Sequence, residues 1–400
     1  MSSGFRPLAG VRIIEFSTSI AGPSATMILA QLGADVIKVE SPAGDDARAW
    51  PPHVGDRSIV FRQMNVGKRG IVIDLKQAQG LAVALALTDS AQVVLQTMRP
   101  GVADRIGIGT VAVRARNPDC IYFDMNAFGT GNVGRDMPGY DPMVQAFTGI
   151  MAMTGHEGAP PTRCAPSLID LGTGQWIAMG VLAAVLAKQR GQDVQTLETA
   201  LVDTGFSVVS YQASTALTSG ERPPRAGSGN SIAAPYQCFT AQDGELLLAA
   251  PNQKLWLRVV DVLGAHALLD DPRFANPATR SQHREALEVA LNAVLVGAPV
   301  DEWLTLLAAA GVPATRVYGL EQAVVSDIAA ERRTFADSDG VPLVRLPWLI
   351  DGEPLAWSNA APSLGQHTRE VLKEIGYSGE RIAALIEAGV VQDAAPPTRA

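Results

Sequence analysis

The chain has 400 residues, of which 47% are apolar, and its formal net charge is −8 at pH 7. This length predicts two domains, or one large domain with an insertion. The negative charge and the lack of a basic stripe in the sequence argue against nucleic acid as a partner. No apolar run reaches about 18 residues without a break, which argues against a membrane-spanning segment.

The N-terminal residues and the cysteines favour a cytoplasmic location. Residues 1–6 lack the basic segment, apolar core and cleavage site of a signal peptide. Cys120, Cys164 and Cys238 stand far apart, so neither a disulfide framework nor a zinc site is expected. We therefore expect a cytoplasmic protein without a bound metal.

The first 124 residues alternate between strand and helix patterns. Strands are predicted at 11–16, 35–40, 70–75, 91–96 and 120–124, and helices at 24–32, 79–90 and 102–116. A strand, a crossover helix and a second strand form a βαβ unit whose strands run parallel. The alternation predicts a doubly wound α/β sheet. The first turn has only Gly22 before Pro23 and lacks the glycine fingerprint of dinucleotide binding.

Asp170 stands between a short apolar run and a Gly-Thr-Gly turn, before an apolar helix pattern from Trp176 to Leu186. An anionic side chain is favoured at a helix N-terminus, where backbone N–H groups lack partners. This spacing alone fits a plain N-cap aspartate as well as a functional carboxylate.

The second half of the chain differs from the first in composition and in the order of its predicted elements. Residues 219–234 are rich in Gly, Pro, Ser and Arg and predict a loop or linker. A small α+β segment follows, with strands at 236–239 and 245–249 and helices at 253–263, 283–295 and 301–310. A connector is predicted at 318–349, helices at 368–375 and 380–389, and disorder at 394–400.

Short motifs along nearly the whole chain together resemble the class III CoA-transferase family, typified by formyl-CoA transferase and carnitine CoA-transferase. The motifs are Ala21-Gly22-Pro23, residues 32–40, Gly67-Lys68-Arg69, Arg99-Pro100-Gly101, Gly139-Tyr140-Asp141, Asp170, residues 310–314 and residues 364–372. Each motif is weak alone, but their order and spacing together are specific to the family.

The resemblance implies a Rossmann-like large domain that binds CoA and a smaller α+β domain. The large domain would comprise residues 1–205 together with 330–400, and the small domain residues 226–318. Residues 206–225 and 319–329 would be linkers. Family members form interlocked dimers, so an interlocked homodimer is expected.

The resemblance also implies a reaction at Asp170. This carboxylate would attack the thioester of an acyl-CoA donor to give an acyl-aspartyl anhydride and then an aspartyl-CoA thioester. CoA would pass from that thioester to a carboxylic acid acceptor, and succinyl-CoA is the expected donor because family members often use it. A free aspartate, with a pKa of about 3.9, is already ionised at neutral pH, so no lowered pKa is required. Donors for the oxyanion and exclusion of water are required.

Further site residues follow from matched positions. Tyr140 and Asp141 are expected near the acyl group, and Gly227 and Gly229 match the glycine-rich loop that closes over the intermediate, with fewer glycines than in formyl-CoA transferase. Arg105 matches a residue that binds CoA in the family, and Lys38, Lys76 and Arg99 are nearby candidates on strand ends and loops. Leu75, Thr97 and Met98 complete the residues expected to bind CoA as substrate and product. Thr97 and Met98 replace an Asn and a Phe beside the adenine, so that pocket would be altered.

Two other functions stay open. An α-methylacyl-CoA racemase shares the fold and uses the equivalent aspartate as a proton-transfer base, with a histidine where this chain has Tyr140. A tyrosine with a pKa near 10 is a poor substitute, and His156 lies sixteen residues further on. A CoA-binding protein without turnover is the other alternative, suggested by the altered glycine loop. Neither nucleic acid nor a membrane is an expected partner.

Overall fold

A computed structural model describes residues 4–230, 232–357 and 359–394. The chain divides into two compact units. The larger unit comprises Met1–Thr148, Ala165–Ser210 and Ala330–Ala400, and the smaller comprises Gly149–Cys164 and Tyr211–Ala329. Residues 149–164 thus belong to the smaller unit, whereas the sequence interpretation counts them in the large domain. Residues 395–400, where disorder is predicted, lie outside the described residues.

The strands of the described residues are short and mostly buried. They are β1 (Arg12–Phe16), β2 (Asp35–Glu40), β3 (His53–Val54), β4 (Arg57–Ser58), β5 (Arg69–Ile73), β6 (Val93–Gln96), β7 (Ile121–Asn126), β8 (Thr196–Ala200), β9 (Tyr236–Ala241), β10 (Gly244–Ala249), β11 (Ala314–Arg316), β12 (Phe335–Ser338), β13 (Val341–Val344), β14 (Leu349–Ile350), β15 (Glu353–Pro354) and β16 (Val391–Gln392).

The helices of the described residues range from one turn to six. They are α1 (Ala21–Gln31), α2 (Ile59–Asn65), α3 (Ala78–Thr88), α4 (Val102–Ile106), α5 (Thr110–Arg116), α6 (Asp141–Phe147), α7 (Ile150–Met153), α8 (Leu168–Gln189), α9 (Leu201–Val208), α10 (Ser210–Ser219), α11 (Gln253–Leu263), α12 (Pro277–Gln282), α13 (Arg284–Leu295), α14 (Val300–Ala309), α15 (Leu320–Ala323), α16 (Asp327–Glu331), α17 (Thr368–Glu374) and α18 (Gly379–Glu387).

Within the described residues, the larger unit is built on a seven-stranded sheet with the strand order β16-β5-β2-β1-β6-β7-β8. The six strands from β5 to β8 run parallel, and β16 pairs antiparallel with β5 at the edge. The parallel sheet predicted from the alternating pattern is therefore confirmed. The central strands β1, β2 and β6 are almost wholly buried, as expected for a parallel sheet covered on both faces.

Helices α1 and α8 pack against each other at unusually short distance. Gly174 permits this approach, because a Cβ there would lie 2.9 Å from Ala21 O and closer still to Ser24 Oγ. The two glycines that suggested a turn after Asp170 are therefore helical residues. Gly174 lies at the contact with α1, whereas Gly172 faces Thr204 on α9. Helix α8 begins at Leu168, well before the predicted start at Trp176.

Three other elements differ from the sequence prediction. Helix α1 begins at Ala21 rather than Ser24, because Pro23 lies in the first turn, where its missing N–H is not needed. The helix predicted at 102–116 is two helices, separated at Gly107, which has a φ of +97°. The connector predicted from residue 318 contains the antiparallel hairpin of β12 and β13.

Helix α8 also changes the expectation about membrane segments. It is the one helix in the described part of the chain that is long and apolar enough to cross a membrane, with a mean hydropathy of 1.5 over 18 residues. Helices α13 and α14 pass the same test only as a pair bent by 106°. A buried core helix can meet this criterion too, and α8 buries seven residues from Ile169 to Ala184 against its neighbours.

The smaller unit has its own sheet and core. Strands β9, β10 and β11 form an antiparallel sheet, and helices α11, α13 and α14 pack on it. Trp256, Phe239 and Leu291 are among its fully buried core residues. The strands predicted at 236–239 and 245–249 agree with β9 and β10 to within two residues.

Candidate functional site

A cavity of about 220 Å³ opens at the carboxyl ends of β1, β6 and β7 in the larger unit. Ligands of open α/β sheets usually bind at this edge. The cavity is lined by Thr18, Ser19, Ile20, Ala21, Asp46, Trp50, Thr97, Met98, Arg99, Pro100, Met125, Asn126, Ala127, Met137, Pro138, Gly139, Tyr140, Asp170 and Leu201. The structure thus brings Tyr140, Asp170 and the segment 97–99 to one cavity, as the site prediction requires.

Asp170 is the third residue of α8, and its neighbour Asp141 caps that helix. Ser167, at the N-cap position, makes no side-chain capping bond. Instead, Asp141 Oδ2 accepts the N–H groups of Ile169 at 2.7 Å and Asp170 at 3.2 Å. Asp141 Oδ1 accepts a bond of 2.6 Å from Gln145 Nε2. Asp141 is buried, so it fixes the backbone of Asp170 rather than facing the cavity.

The ionisation of Asp170 departs from the sequence-based assumption. Burial and the nearby charge of Asp141 raise the pKa of Asp170 to about 7. The sequence interpretation used the pKa of a free aspartate, because neither burial nor a carboxylate 29 positions away in sequence is visible in a local pattern. Near neutral pH this carboxyl group divides between a nucleophilic anion and a neutral acid.

Tyr140 directly precedes α6 and lines the same cavity as Asp170. Its side chain is 63% exposed. Gly139 must be small, since a Cβ there would lie 2.6 Å from the Cβ of Ala127. In the Gly-Tyr-Asp motif, Gly139 therefore allows the backbone to lie close to Ala127, Tyr140 offers an accessible phenol, and the buried Asp141 caps α8.

The residues predicted to bind CoA either line the cavity, lie outside its lining, or, in the case of Lys38, are buried within the protein. Thr97, Met98 and Arg99 line the cavity directly after β6. Leu75, Lys76 and Arg105 do not line it. Leu75 packs on the hydrophobic core, whereas the side chains of Lys76 and Arg105 are exposed.

Lys38 does not fit the predicted contact with a phosphate. Its side chain is fully buried, and Nζ lies 2.7 Å from Ser17 O and 2.8 Å from Asp45 Oδ2. The family motif at 32–40 drew attention to this lysine, but its position on the central strand β2 directs it into the protein. Its partners give it a structural role.

Gly227 and Gly229 lie in the smaller unit. Gly227 has a φ of +57°, and a Cβ there would come within 2.5 Å of His156 Cε1. A Cβ at Gly229 would collide with the guanidinium of Arg284, which donates a hydrogen bond to Asn230 O. The positive φ of Gly227, and Ala226 O at 2.9 Å from a Cβ at Gly229, favour glycine at both positions. His156 itself is exposed and forms a β-bridge with Ala226.

Several cavity residues were not identified from the sequence. Ile20, Trp50, Met125, Met137 and Leu201 give the cavity an apolar wall. Position directly after a predicted strand end could have indicated Met125, and Ile20 lies four residues beyond another predicted strand end, whereas nothing local marks Trp50 or Met137. Among the described residues, no group of three or more His, Cys, Asp or Glu side chains could hold a metal ion.

Comparison with known proteins identifies the family of the chain. The family model described as CoA-transferase family III matches residues 8–368. The succinate–glutarate CoA-transferase of Agrobacterium fabrum is 32% identical over 382 residues, covering 92% of this chain and 96% of that protein. The acetyl-CoA:oxalate CoA-transferase of Acetobacter aceti is 34% identical over 348 residues, covering 86% and 90%.

Solved structures show the same relationship. A CAIB/BAIF family protein from Brucella suis is 31% identical, with a TM-score of 0.84 over 92% of this chain and 99% of that chain. The protein Rv3272 from Mycobacterium tuberculosis is 29% identical, with a TM-score of 0.83 over 91% and 98%. The resemblance seen in the motifs is confirmed, and this chain is an enzyme that belongs to CoA-transferase family III.

Proposed function

We propose that this enzyme transfers CoA from an acyl-CoA donor to a carboxylic acid acceptor through covalent intermediates on Asp170. The observation that carries the proposal is the carboxyl group of Asp170 in the cavity at the carboxyl edge of the sheet, with its backbone fixed by Asp141. Covalent catalysis by a carboxylate divides a difficult acyl transfer into easier steps.

The proposed sequence has four steps. An Asp170 oxygen attacks the thioester carbonyl, the C–S bond breaks, and an acyl-aspartyl anhydride and CoA thiolate form. The thiolate attacks the aspartyl carbonyl, which gives an aspartyl-CoA thioester and releases the donor acid. The acceptor carboxylate attacks this thioester, which gives a second anhydride and frees the thiolate. Attack of the thiolate on the acceptor carbonyl yields the new acyl-CoA and restores Asp170.

The cavity offers groups suited to these substrates. The pantetheine arm of CoA has apolar methylene and methyl groups, for which Ile20, Met98 and Met125 provide an apolar wall. Arg99, at the cavity, and the exposed Arg105 and Lys76 supply positive charge for phosphates in a protein of net charge −8. We propose Tyr140 as a hydrogen-bond donor to the acyl group, because its hydroxyl-bearing side chain is exposed and lines the same cavity as Asp170.

We propose dicarboxylates as the first donors and acceptors to test. The related enzymes named above act on succinate and glutarate or on oxalate. Succinyl-CoA is therefore the first donor, and glutarate and oxalate are the first acceptors.

Intact-mass spectrometry tests the covalent mechanism. Wild type and Asp170→Ala are incubated with a panel of acyl-CoA thioesters, and hydroxylamine is added to half of each sample. We expect an adduct on the wild type that hydroxylamine removes and that Asp170→Ala does not form. Absence of any wild-type adduct, with product still formed, would exclude the covalent route.

One observation favours a second function, the racemase. A pKa of about 7 suits a base that takes a proton from the α-carbon of an acyl-CoA. This function predicts incorporation of deuterium from D₂O at that carbon, without an adduct on Asp170. CoA binding with neither signal would instead identify a binding protein without turnover.

We further propose that the enzyme is a homodimer, with the interlocked arrangement that its family implies. Helices of the larger unit expose large apolar side chains, namely Phe147, Trp176, Met179, Phe206 and Val208. The rings of Phe147 and Phe206 lie 6.4 Å apart, and exposed apolar patches are typical of protein interfaces. Light scattering should give twice the chain mass of 42.1 kDa, and a monomer across the concentrations used for assay would contradict the proposal.

A further inference from the structure

The segment 17–23 comprises the connection from β1 to α1 and the first three residues of α1, and it contributes Thr18, Ser19, Ile20 and Ala21 to the lining of the cavity that contains Asp170. Ser19 has a φ of +70°, in the left-handed region. Non-glycine residues seldom adopt this conformation, and they do so where the surrounding structure holds them. The shape of this part of the cavity therefore depends on what holds the segment.

Lys38 and Asp45 hold the first half of the segment. Lys38 Nζ donates to Ser17 O at 2.7 Å and lies 2.8 Å from Asp45 Oδ2. Asp45 Oδ1 in turn accepts the N–H of Ser19 at 3.0 Å. The strained residue is thus bonded directly to a carboxylate that is itself paired with a buried lysine.

Lys68 holds the second half. Its Nζ donates to Pro23 O at 2.9 Å and to Asn65 Oδ1 at 2.8 Å, and it lies 2.9 Å from Glu15 Oε2. Glu15 also lies 3.4 Å from Lys38 Nζ, so it joins the two lysines. Three backbone atoms of the segment are therefore bonded to buried charged side chains.

These four charges are expensive to bury. The side chains of Glu15, Lys38, Asp45 and Lys68 have no solvent exposure. Burial lowers the pKa of Lys68 to about 8, even though Glu15 opposes that shift. Since apolar residues of similar volume often stabilise a fold as well as a buried ion pair does, stability alone is a weak reason for such a cluster.

We propose that the buried ionic cluster of Glu15, Lys38, Asp45 and Lys68 positions the segment 17–23 for the reaction at Asp170. Its members are positioning residues, because they act through backbone atoms of the cavity wall. The effect on catalysis rests on the proposed function, CoA transfer at Asp170. The effect of the cluster on the conformation of the segment 17–23 can be measured independently of that function.

The test compares Asp45→Asn with Asp35→Asn. Both aspartates lie near ends of β2 and both accept bonds from cations, but Asp35 pairs with Arg12 and Arg69 at the opposite end, away from the cavity. Each variant keeps an oxygen acceptor and loses one negative charge. Asp35→Asn therefore controls for the general loss of an ionic contact.

Two readouts are measured on the full-length protein. In Asp45→Asn, we expect amide exchange in residues 17–24 to be about tenfold faster, because a neutral amide replaces the charge-assisted contacts of Asp45 with Ser19 N–H and Lys38 by weaker ones. We also expect kcat for CoA transfer, per folded molecule, to fall by about tenfold or more, the scale of a misplaced reacting group. Asp35→Asn should change both values by less than about twofold, as surface substitutions do.

Equal exchange in the two variants, or equal kcat, would overturn the inference. If Asp45→Asn does not fold, the double variant Lys38→Met/Asp45→Asn replaces it, because it removes one cation and one anion and leaves Glu15 paired with Lys68. If the wild type transfers no CoA, the proposed function fails. In that case, amide exchange in residues 17–24 and the dissociation constant of CoA are compared between Asp45→Asn and Asp35→Asn. These two values then decide whether the cluster positions the cavity wall.

Discussion

The raised pKa of Asp170 sets a condition on the proposed reaction. A nucleophilic carboxylate must be ionised, and a group whose pKa is raised by burial and by Asp141 loses its proton only near neutral pH. The same burial strengthens the nucleophile, since the anion is poorly solvated. Asp170 thus combines reactivity with a dependence on pH that an exposed aspartate would lack.

We predict that kcat/KM for the acyl-CoA donor rises with pH through about 7 and levels off about one unit higher. The ionised fraction of Asp170 increases with pH, so activity is lost on the acidic side. Asp141→Asn removes the nearby negative charge and should move the rise to lower pH. A rate that is constant from about pH 5 upward would show that Asp170 titrates as an ordinary aspartate.

The residues of the site differ in how well the sequence indicated them. Asp170 and Tyr140 were identified from motifs, and the structure brings both to the same cavity. Lys38 shared a motif with its neighbours, yet strand geometry buries it. Whether a side chain faces ligand or core depends on packing partners that are distant in sequence, and a local motif does not contain them.

At the scale of elements, helix α8 is capped by a residue from another helix. Asp141, on α6, accepts two N–H groups from the first turn of α8. On spacing alone, the sequence left open whether Asp170 itself is the cap or a functional carboxylate. Because Asp141 already accepts the N–H groups of the first turn of α8, the Asp170 side chain is not needed as a cap and can line the cavity.

We predict that Asp141→Ala lowers the free energy of unfolding by about 0.5–2 kcal/mol, the usual cost of a lost helix cap. It should also lower kcat, because the backbone of Asp170 loses its support. Ser378→Ala is the matched control, since Ser378 caps α18 through the N–H of Arg381. Denaturant unfolding and kcat are measured for both; a similar loss of kcat in the control would contradict the prediction.

The contact between α1 and α8 gives a second prediction at this scale. Gly174→Ala places a Cβ against the backbone of Ala21, so the helices must separate and the segment before α1 must shift. We expect a loss of about 1–3 kcal/mol in the free energy of unfolding, as for other overpacked contacts. Gln175→Ala, on the exposed side of α8, is the control. Equal stability of Gly174→Ala and wild type would show that the contact is looser than described.

On the scale of the whole molecule, the two units have separate hydrophobic cores. Leu87 is fully buried in the core of the larger unit and Leu291 in that of the smaller. The chain enters the smaller unit twice, so neither unit is a continuous stretch of sequence. Each hydrophobic core nevertheless consists of residues from its own unit.

We predict that Leu291→Ala and Leu87→Ala each destabilise mainly the unit that contains the substitution. A buried Leu→Ala change costs about 2–5 kcal/mol, because it leaves a cavity. Hydrogen exchange followed by mass spectrometry should show faster exchange in β9 and β10 for Leu291→Ala, and in β5 and β6 for Leu87→Ala. The same increase in both units for either variant would indicate one cooperative core.

Local patterns were sufficient for the alternating strands and helices, the parallel sheet, the family and the candidate Asp170, because periodicity, turn residues and motif order are properties of neighbouring residues. Contacts between distant residues settled the rest. Helix α8 begins at Leu168 and includes Gly174, where the sequence predicted a turn. Lys38 is buried beside Asp45, and the pKa of Asp170 is raised next to Asp141. Burial and electrostatics depend on distance in space, and distance along the chain does not reveal it.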